Sequence, residues 1–374
     1  MPAVAYQLLI NGSPAPPQVM AAIQQIEVED HADLADMMRL RLAFAIAEDG
    51  SRWTLVDENL FTRLAELRLS ITVGDTTETL ITAHVIRTSA DFSNLPGESS
   101  LDVLAMDPTV LMNLEEKVRD WPDMSDSEIA NVILSDAAYG LEPVVEETSL
   151  HRMLADHQVI QRGTDIQFLR RLARRNGFEC YVEVNPSSGD PEGHFHSPDP
   201  GQTPQGVLSV NLGESTNVNS FSASYDMIRP ATVETVGLEI EGQSDQEASV
   251  SESRLTQLGD DPAVPAEHTR TVLLTQTGLD KTSELQAAAQ ALVDDLAWAI
   301  RAEGELNTVV YGDVLRAKRP VQVRGAGLQF SGTYYVERVL HTFNGEGYTQ
   351  RFTLRRNALG IPQTETFVDV GGNQ

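Results

Sequence analysis

The chain has 374 residues, with 55 acidic against 27 basic side chains and a formal net charge of -28. That length accommodates two or three domains with sizeable cores, and the acidic excess argues against a sequence-independent grip on nucleic acid or on an anionic membrane. A single cysteine excludes a disulfide within the chain, and no apolar run approaches the 18 residues of a membrane span.

The chain begins as β-structure. The opening MPAVAYQLLINGSPAPP lacks the basic start and long apolar core of a secretory signal. Tyr6 to Ile10 reads as a strand and Asn11-Gly12 as a hairpin turn, made irregular by Pro14, Pro16 and Pro17. Ile23 to Glu29 and Met38 to Ala45 follow, the second with Leu40, Leu42 and Phe44 inward and Arg39 and Arg41 outward, joined by the acidic connection Asp30 to Asp36. Leu67 to Val73 and Thr79 to Thr88 pair around Gly74-Asp75, and Ser99 to Ala105 closes the set. Strands this short and numerous predict a barrel or roll of about 100 residues.

From Asp107 the pattern becomes mixed. Ser125 and Glu128 form a capping box before Ile129, Val132, Ile133 and Ala137, with Gly140 as the stop, and Leu141 to Glu147 is extended. Val159 to Gly163 is a short strand. Thr164 and Gln167 make a second capping box, Ile166, Leu169, Leu172 and Ala173 give the helix one apolar face, and Asn176-Gly177 ends it. Arg170, Arg171, Arg174 and Arg175 crowd its last turns, where cations offset the helix dipole. Phe178 to Glu183 alternates as a strand carrying Cys180, a buried structural thiol on this reading. Asn185 to Thr203 reads as an exposed loop.

A second β region starts near Val207. Val207 to Leu212 and Val218 to Tyr225 flank a turn at Gly213, and Thr232 to Ile240 follows. Glu241 to Glu267 is polar and without periodicity, which predicts a mobile loop. A helix occupies 283–302 within the periodic stretch Lys281 to Ala302, with Leu285, Ala289, Leu292, Leu296 and Ile300 on one face and Gly304 as its end. Pro320 to Val323, Phe330 to His341 and Gly347 to Arg356 then form three antiparallel strands joined by glycine-containing turns.

The stretch from Gln161 to Gly177, of the form Q-x-G-T-D-x-x-F-L-x-R-L-A-x-x-x-G, resembles the middle of the phage late control protein D family, hub proteins of contractile tails. It is similar also to the hub part of the valine-glycine repeat spike proteins of type VI secretion. The C-terminal order S-G-x-Y-x-V-x-x-V-x-H, then G-Y-T-x-x-F-x-L-x-R, looks like the end of the same module, so the resemblance covers roughly residues 1 to 357. It implies an α+β, mainly β fold: two tail-tube-like β-barrels, at 1–106 and 205–359, with an α/β region inserted at 107–204 and a C-terminal tail at 360–374. It implies a homotrimer that adapts a sixfold tail tube to a trimeric spike in a phage or phage-like injection particle. Because Gly360 to Gln374 are too few for a spike barrel and β-helix, the spike is expected to be a separate chain. The tail-tube protein, baseplate wedge proteins and the tape-measure protein complete the implied partners, with assembly in the bacterial cytoplasm and incorporation into the baseplate. On this reading part of the negative charge lines a channel past which a polyanion or other cargo slides; the plainer reading is solubility.

Chemistry is sparse, and the reading is of no catalytic, cofactor or metal site and no enzyme. His194, His196 and Asp199 offer two or three metal-ligand types, but in a loop and without a complete set. Glu115-Glu116 and Asp294-Asp295 are adjacent carboxylates whose side chains diverge on a helix, and Gly259-Asp260-Asp261-Pro262 reads as a loop with at most a weak cation site. His341, closing a strand with no carboxylate or nucleophile at useful spacing, reads as a packing residue. The four helix arginines are either a solvated face or a contact for acidic partners. The competing function is a cell-wall hydrolase using Asp294 and Glu303 as acid and base.

Overall fold

Alternating burial makes Met37–Ala43 a strand with one dry face: Met38, Leu40 and Leu42 are buried and Arg39 and Arg41 meet solvent. The same logic, repeated along the chain, yields one continuous 13-stranded sheet. The computed structural model describes residues 4–47, 50–74, 76–95, 97–148, 151–152, 159–185, 189–239, 244–263, 269–275 and 281–361.

The sheet begins at Val218–Tyr225 and passes through Ile300–Leu306, Gly347–Arg356 and Gly332–Asn344. It continues through Ile23–His31, Met37–Ala43, Ser100–Met106, Thr76–Asp91, Glu66–Val73, Val4–Ile10 and Ser13–Pro14. Gly332–Asn344 is the bridging strand. It pairs antiparallel with Gly347–Arg356 on one side and with Ile23–His31 on the other, Thr342 lying opposite Glu27 and Asn344 opposite Gln25. Strands from the two ends of the chain thus share one hydrogen-bonded ladder, and the fold is mainly β. Val207–Ser209 and Pro320–Arg324 branch from it, parallel to each other, the latter also pairing with the bridging strand.

Two larger cores lie against these strands, and a third fills the middle region with its own small sheets. Leu8, Ile26, Leu40, Leu67 and Val103 belong to the first, which also takes Val314, Phe343 and Tyr348 from the far end of the sequence. Leu208, Ile300, Val321, Val336 and Phe352 belong to the second, and Trp121, Ile129, Phe168, Leu172 and Phe195 to the third, in the middle region. The middle region is built as its local signals dictate. Both capping boxes form, at Ser125/Glu128 and Thr164/Gln167, and the basic helix Asp165–Asn176 ends on Gly177 at φ 72°.

Several sequence expectations are corrected. Asn185 to Thr203 contains a strand, Pro191–His196, antiparallel to Glu179–Val184 and parallel to Glu142–Val145. Proline is tolerated at its first residue, and Gly193 lets Leu134 approach, since a Cβ there would lie 2.8 Å from a Leu134 methyl. Glu241 to Glu267 contains Ser244–Val250, paired with Ala231–Glu239 despite its polarity because only one face is covered, by the helix Thr282–Leu296; the parts at 241–243 and 264–268 lie outside the described residues. That helix stops at Leu296, and Ile300 to Leu306 is a strand, so the apolar spacing that suggested a helix to residue 302 spans two elements that feed different cores, Ala289 facing Val233 and Val250 and Ile300 joining the core of Val336 and Phe352. Gly304 sits inside that strand. Val207–Ser209 and Val218–Tyr225 do not pair with each other but with Pro320–Arg324 and Ile300–Leu306. The helix after Ser125 ends at Leu134, leaving Ala137 and Gly140 in the following turns. Glu115-Glu116 lie exposed ahead of the strand Lys117–Trp121, not on a helix.

Among the described residues, open edges of the sheet include the outer side of residues 4–7, which pair only with Glu66–Val73, and two further edges. Among the described residues, Val218–Tyr225 pairs only with Ile300–Leu306, and residues 86–91 pair only with the strand Ser100–Met106. The Val218–Tyr225 edge, VNSFSASY, has neither the charges nor the proline that usually protect an exposed strand.

Candidate functional site

The chemistry-bearing side chains converge where residues 30–36, residues 316–319 and the strand Glu179–Val184 meet. Lys318 is fully buried and donates from Nζ to Asp30 Oδ1 at 2.7 Å and to Asp36 Oδ2 and Oδ1 at 3.0 and 3.2 Å. Arg316, also buried, donates from Nε to Asp30 Oδ2 at 3.0 Å and from its terminal nitrogens to the carbonyls of Thr79 and Leu80 at 3.2 and 3.1 Å. The Ala317 N–H adds a third donor to Asp30, at 3.1 Å. Asp36 and Asp107 are laced together through the backbone: the Asp36 N–H donates to Asp107 Oδ2 at 2.8 Å, and the Asp107 N–H donates to the Asp36 carbonyl at 3.0 Å.

The middle region closes this junction with one face of Glu179–Val184. Lys318 Nζ lies 5.0 Å from the Tyr181 ring centre and Arg319 3.7 Å from Glu183. Tyr335 donates to Glu179 Oε2 at 2.7 Å, and Arg355 pairs with the same carboxylate while lying over the Trp298 and Tyr335 rings. The opposite face of the strand carries Cys180 into the third core.

Charge balance sets the protonation preferences. Burial alone would raise the Asp30 carboxyl, but Lys318 and Arg316 hold it far below the ordinary carboxylate range. Burial drives Asp36 well above that range, with repulsion from Asp30 and Asp107 added and Lys318 opposing. Burial opposes the charge on Lys318, yet Asp30 and Asp36 outweigh it and its affinity for the proton rises. Burial also raises Glu179, against the pull of Arg355.

The residues singled out from the sequence are scattered around this junction. His194 stacks on Tyr181 with ring centres 4.6 Å apart, and its Nε2 lies 3.4 Å from Glu192 and 3.7 Å from Glu183. Burial lowers it to about 4. His196 sits on the same face, its ring 5.4 Å from that of His194, and is bonded to Tyr181 and the Ser197 carbonyl; Asp199 instead accepts from the Gly201 N–H. Among the described residues no group of three or more such side chains has metal-binding geometry. His341 is fully buried, bonded through Nδ1 to the Tyr348 hydroxyl at 2.8 Å and lowered by burial to about 3. Cys180 is raised by burial to about 12.

Asp294 and Glu303 are not brought together as an acid and base. Asp294 is buried, with its oxygens occupied by Arg254, the Arg254 N–H, Ser253 and Gln290. Glu303 lies on the strand Ile300–Leu306 in solvent beside Arg301. Asp295 pairs with Arg229. Asp261–Pro262 pairs with Ala358–Leu359, and the Gly259 and Asp260 carbonyls accept from Gln257. Of the helix arginines, Arg175 pairs with Asp126, Arg171 lies over Phe168, Arg174 is exposed, and Arg170 has two buried nitrogens without a partner among the described residues.

Sequence reading missed Lys318 and Arg316. The signal was present as Arg316-Ala317-Lys318-Arg319, a basic run in an acidic chain, but its acidic complement lies nearly 300 residues earlier, at Asp30 and Asp36.

Comparison with known proteins places this architecture. A family model described as the Alg8 N-terminal domain matches residues 1–345. It is not the model of the late control protein D family. A search of curated proteins finds no match. Among solved structures, the 43 kDa tail protein of prophage MuSo2 from Shewanella oneidensis superimposes with a TM-score of 0.68 at 12% identity, covering 96% of this chain and 100% of that one. The tail protein from Neisseria meningitidis MC58 gives 0.67 at 11% identity, with the same coverages. An E. coli protein described as a component of the type VI secretion system, structurally similar to T4 bacteriophage tail proteins, gives 0.57 at 12% identity over 96% of this chain and 78% of that one. At these identities the likeness is one of fold.

Proposed function

The chain belongs to the Alg8 N-terminal domain family, and from its tail-protein fold and the open sheet edges at Val218–Tyr225 and residues 86–91 we propose that it is a structural baseplate hub of a contractile phage tail or phage-like injection particle. In this reading three copies close a ring that joins a sixfold tail tube to a separate trimeric spike, with wedge and tape-measure proteins as further neighbours. The expected resemblance to the late control protein D family belongs to this proposal, as do the divisions at 1–106, 107–204, 205–359 and 360–374. The work is architectural and needs no catalytic group.

The observation that carries the reading is an eight-strand run whose first strand, Val218–Tyr225, has one neighbour and whose last, Thr76–Asp91, is open along residues 86–91, beyond its pairing with Glu66–Val73. Such a sheet is a head-to-tail unit: one copy's Val218–Tyr225 edge can add to residues 86–91 of the next, and a rotation that closes gives a ring. At about 4.8 Å per strand, eight strands span roughly 38 Å; three copies give a circumference of roughly 115 Å, or about 37 Å across. The bridging strand makes each copy contribute two halves, so three copies present six.

The solvent face of this run bears cross-strand ion pairs: Arg351 with Glu305 at 2.9 Å, Arg301 with Glu337 at 3.3 Å, Arg338 with Glu29 at 2.5 Å and Arg39 with Asp102 at 2.9 Å. At these positions the proposed lumen is locally charge-compensated.

Light scattering on the purified chain tests the ring. The expected mass is three times 40.9 kDa, about 123 kDa, retained when a spike chain is added as a heavier stable complex. A chain that stays at 40.9 kDa in the presence of tube and spike proteins would overturn the proposal.

A further inference from the structure

Among the described residues, Arg119, Arg171 and Arg174 of the middle region stand outside the ion pairs that neutralise Lys117 and Arg175. Arg119, on the strand Lys117–Trp121, holds its guanidinium carbon 3.8 Å from the centre of the Trp121 ring, and Arg171, on the basic helix, lies 5.2 Å from the centre of Phe168. Trp121 and Phe168 are stacked on each other, with centres 6.4 Å apart and planes 18° from parallel. Both rings are buried, whereas Arg119, Arg171 and Arg174, one turn further along the helix, are exposed. Lys117 and Arg175 are satisfied by Asp165 and Asp126. No such pair forms at Arg119, Arg171 or Arg174 among the described residues.

A guanidinium laid on an aromatic ring keeps its in-plane N–H donors free and has little side-chain entropy left to lose on binding. That is a prepared receptor for carboxylates, which the planar fork meets through two parallel hydrogen bonds. The rest of the chain decides which anion fits. With a net charge of -28, a long polyanion is repelled wherever it leaves the patch. A short acidic segment experiences only its immediate surroundings, because the field of more distant charges is screened within about 10 Å at 0.1 M salt.

We propose that the Arg119–Trp121–Phe168–Arg171 stack, extended by Arg174, is a docking surface for an acidic segment of another protein chain. The surface lies in the middle region and not on the two sheet edges proposed to pair, so it is independent of ring closure. It gives the helix arginines a role beyond offsetting the helix dipole.

The test is fluorescence anisotropy of a labelled ten-residue oligoglutamate peptide against the full chain in 50 mM salt. Saturable binding is expected, weakening about tenfold in R119A/R171A and by a smaller factor in R119K/R171K, which keeps the charge but loses the planar fork. Because uncovering Trp121 and Phe168 could perturb folding, R174E serves as a second variant; it touches neither ring and is also expected to weaken binding. Light scattering on each variant separates this outcome from loss of the proposed ring. Absence of peptide binding, equal binding by wild type and R174E, or tighter binding of a ten-nucleotide single-stranded DNA would each overturn the proposal.

Discussion

Lys318→Met is the most informative single perturbation of the junction. In the wild type, Lys318 Nζ makes contacts of 2.7 to 3.2 Å with two buried carboxylates, Asp30 and Asp36. Methionine fills much of the volume but removes the charge. Breaking one partner out of a buried ionic set typically costs about 3–5 kcal/mol, because the remaining charge is desolvated and unpaired. Two features hold the expected loss near the lower end, about 3 kcal/mol: Arg316 still satisfies Asp30, and Asp36, which burial already raises, can take up a proton. That second feature fixes the sign of the pH dependence. Removing the cation raises the carboxyls of the folded variant further, so folded variant binds more protons than folded wild type, and its deficit shrinks as pH falls from 8 to 5. Urea unfolding followed by tryptophan fluorescence at both pH values measures this directly. A deficit under about 1 kcal/mol at both pH values, or one that grows on acidification, would refute the ionic account of the junction.

Two further outcomes follow from burial. Cys180, raised to about 12, should resist a thiol reagent in the native state and react rapidly in urea; fast native labelling would show that the strand Glu179–Val184 opens locally. His341 and His194 are lowered to about 3 and 4, chiefly by burial, whereas the unfolded side chains titrate near 6.5. The stability they confer is therefore complete above about pH 6.5 and lost as pH falls toward their folded values. Imidazole resonances from either residue with a midpoint near 6.5 in the folded protein would contradict this.

Local signals in the sequence determine the elements whose partners are near in the chain. Thr164 with Gln167, Ser125 with Glu128 and Gly177 fix their helix ends because each cap is a contact within a few residues. The alternation in Met37–Ala43 likewise fixes which face is dry. Tertiary structure decides the rest. The polar strand Ser244–Val250 exists because the neighbouring strand and helix supply its pairing and its single covered face. Ile300 leaves the apparent helical pattern because two sheet neighbours bond its strand. The junction joins Asp30 and Asp36 to Arg316 and Lys318 only once the bridging strand brings the two ends of the chain together. Periodicity records which side of an element is apolar but not what lies across from it, so the sequence marks the charges while their meeting place depends on long-range strand pairing.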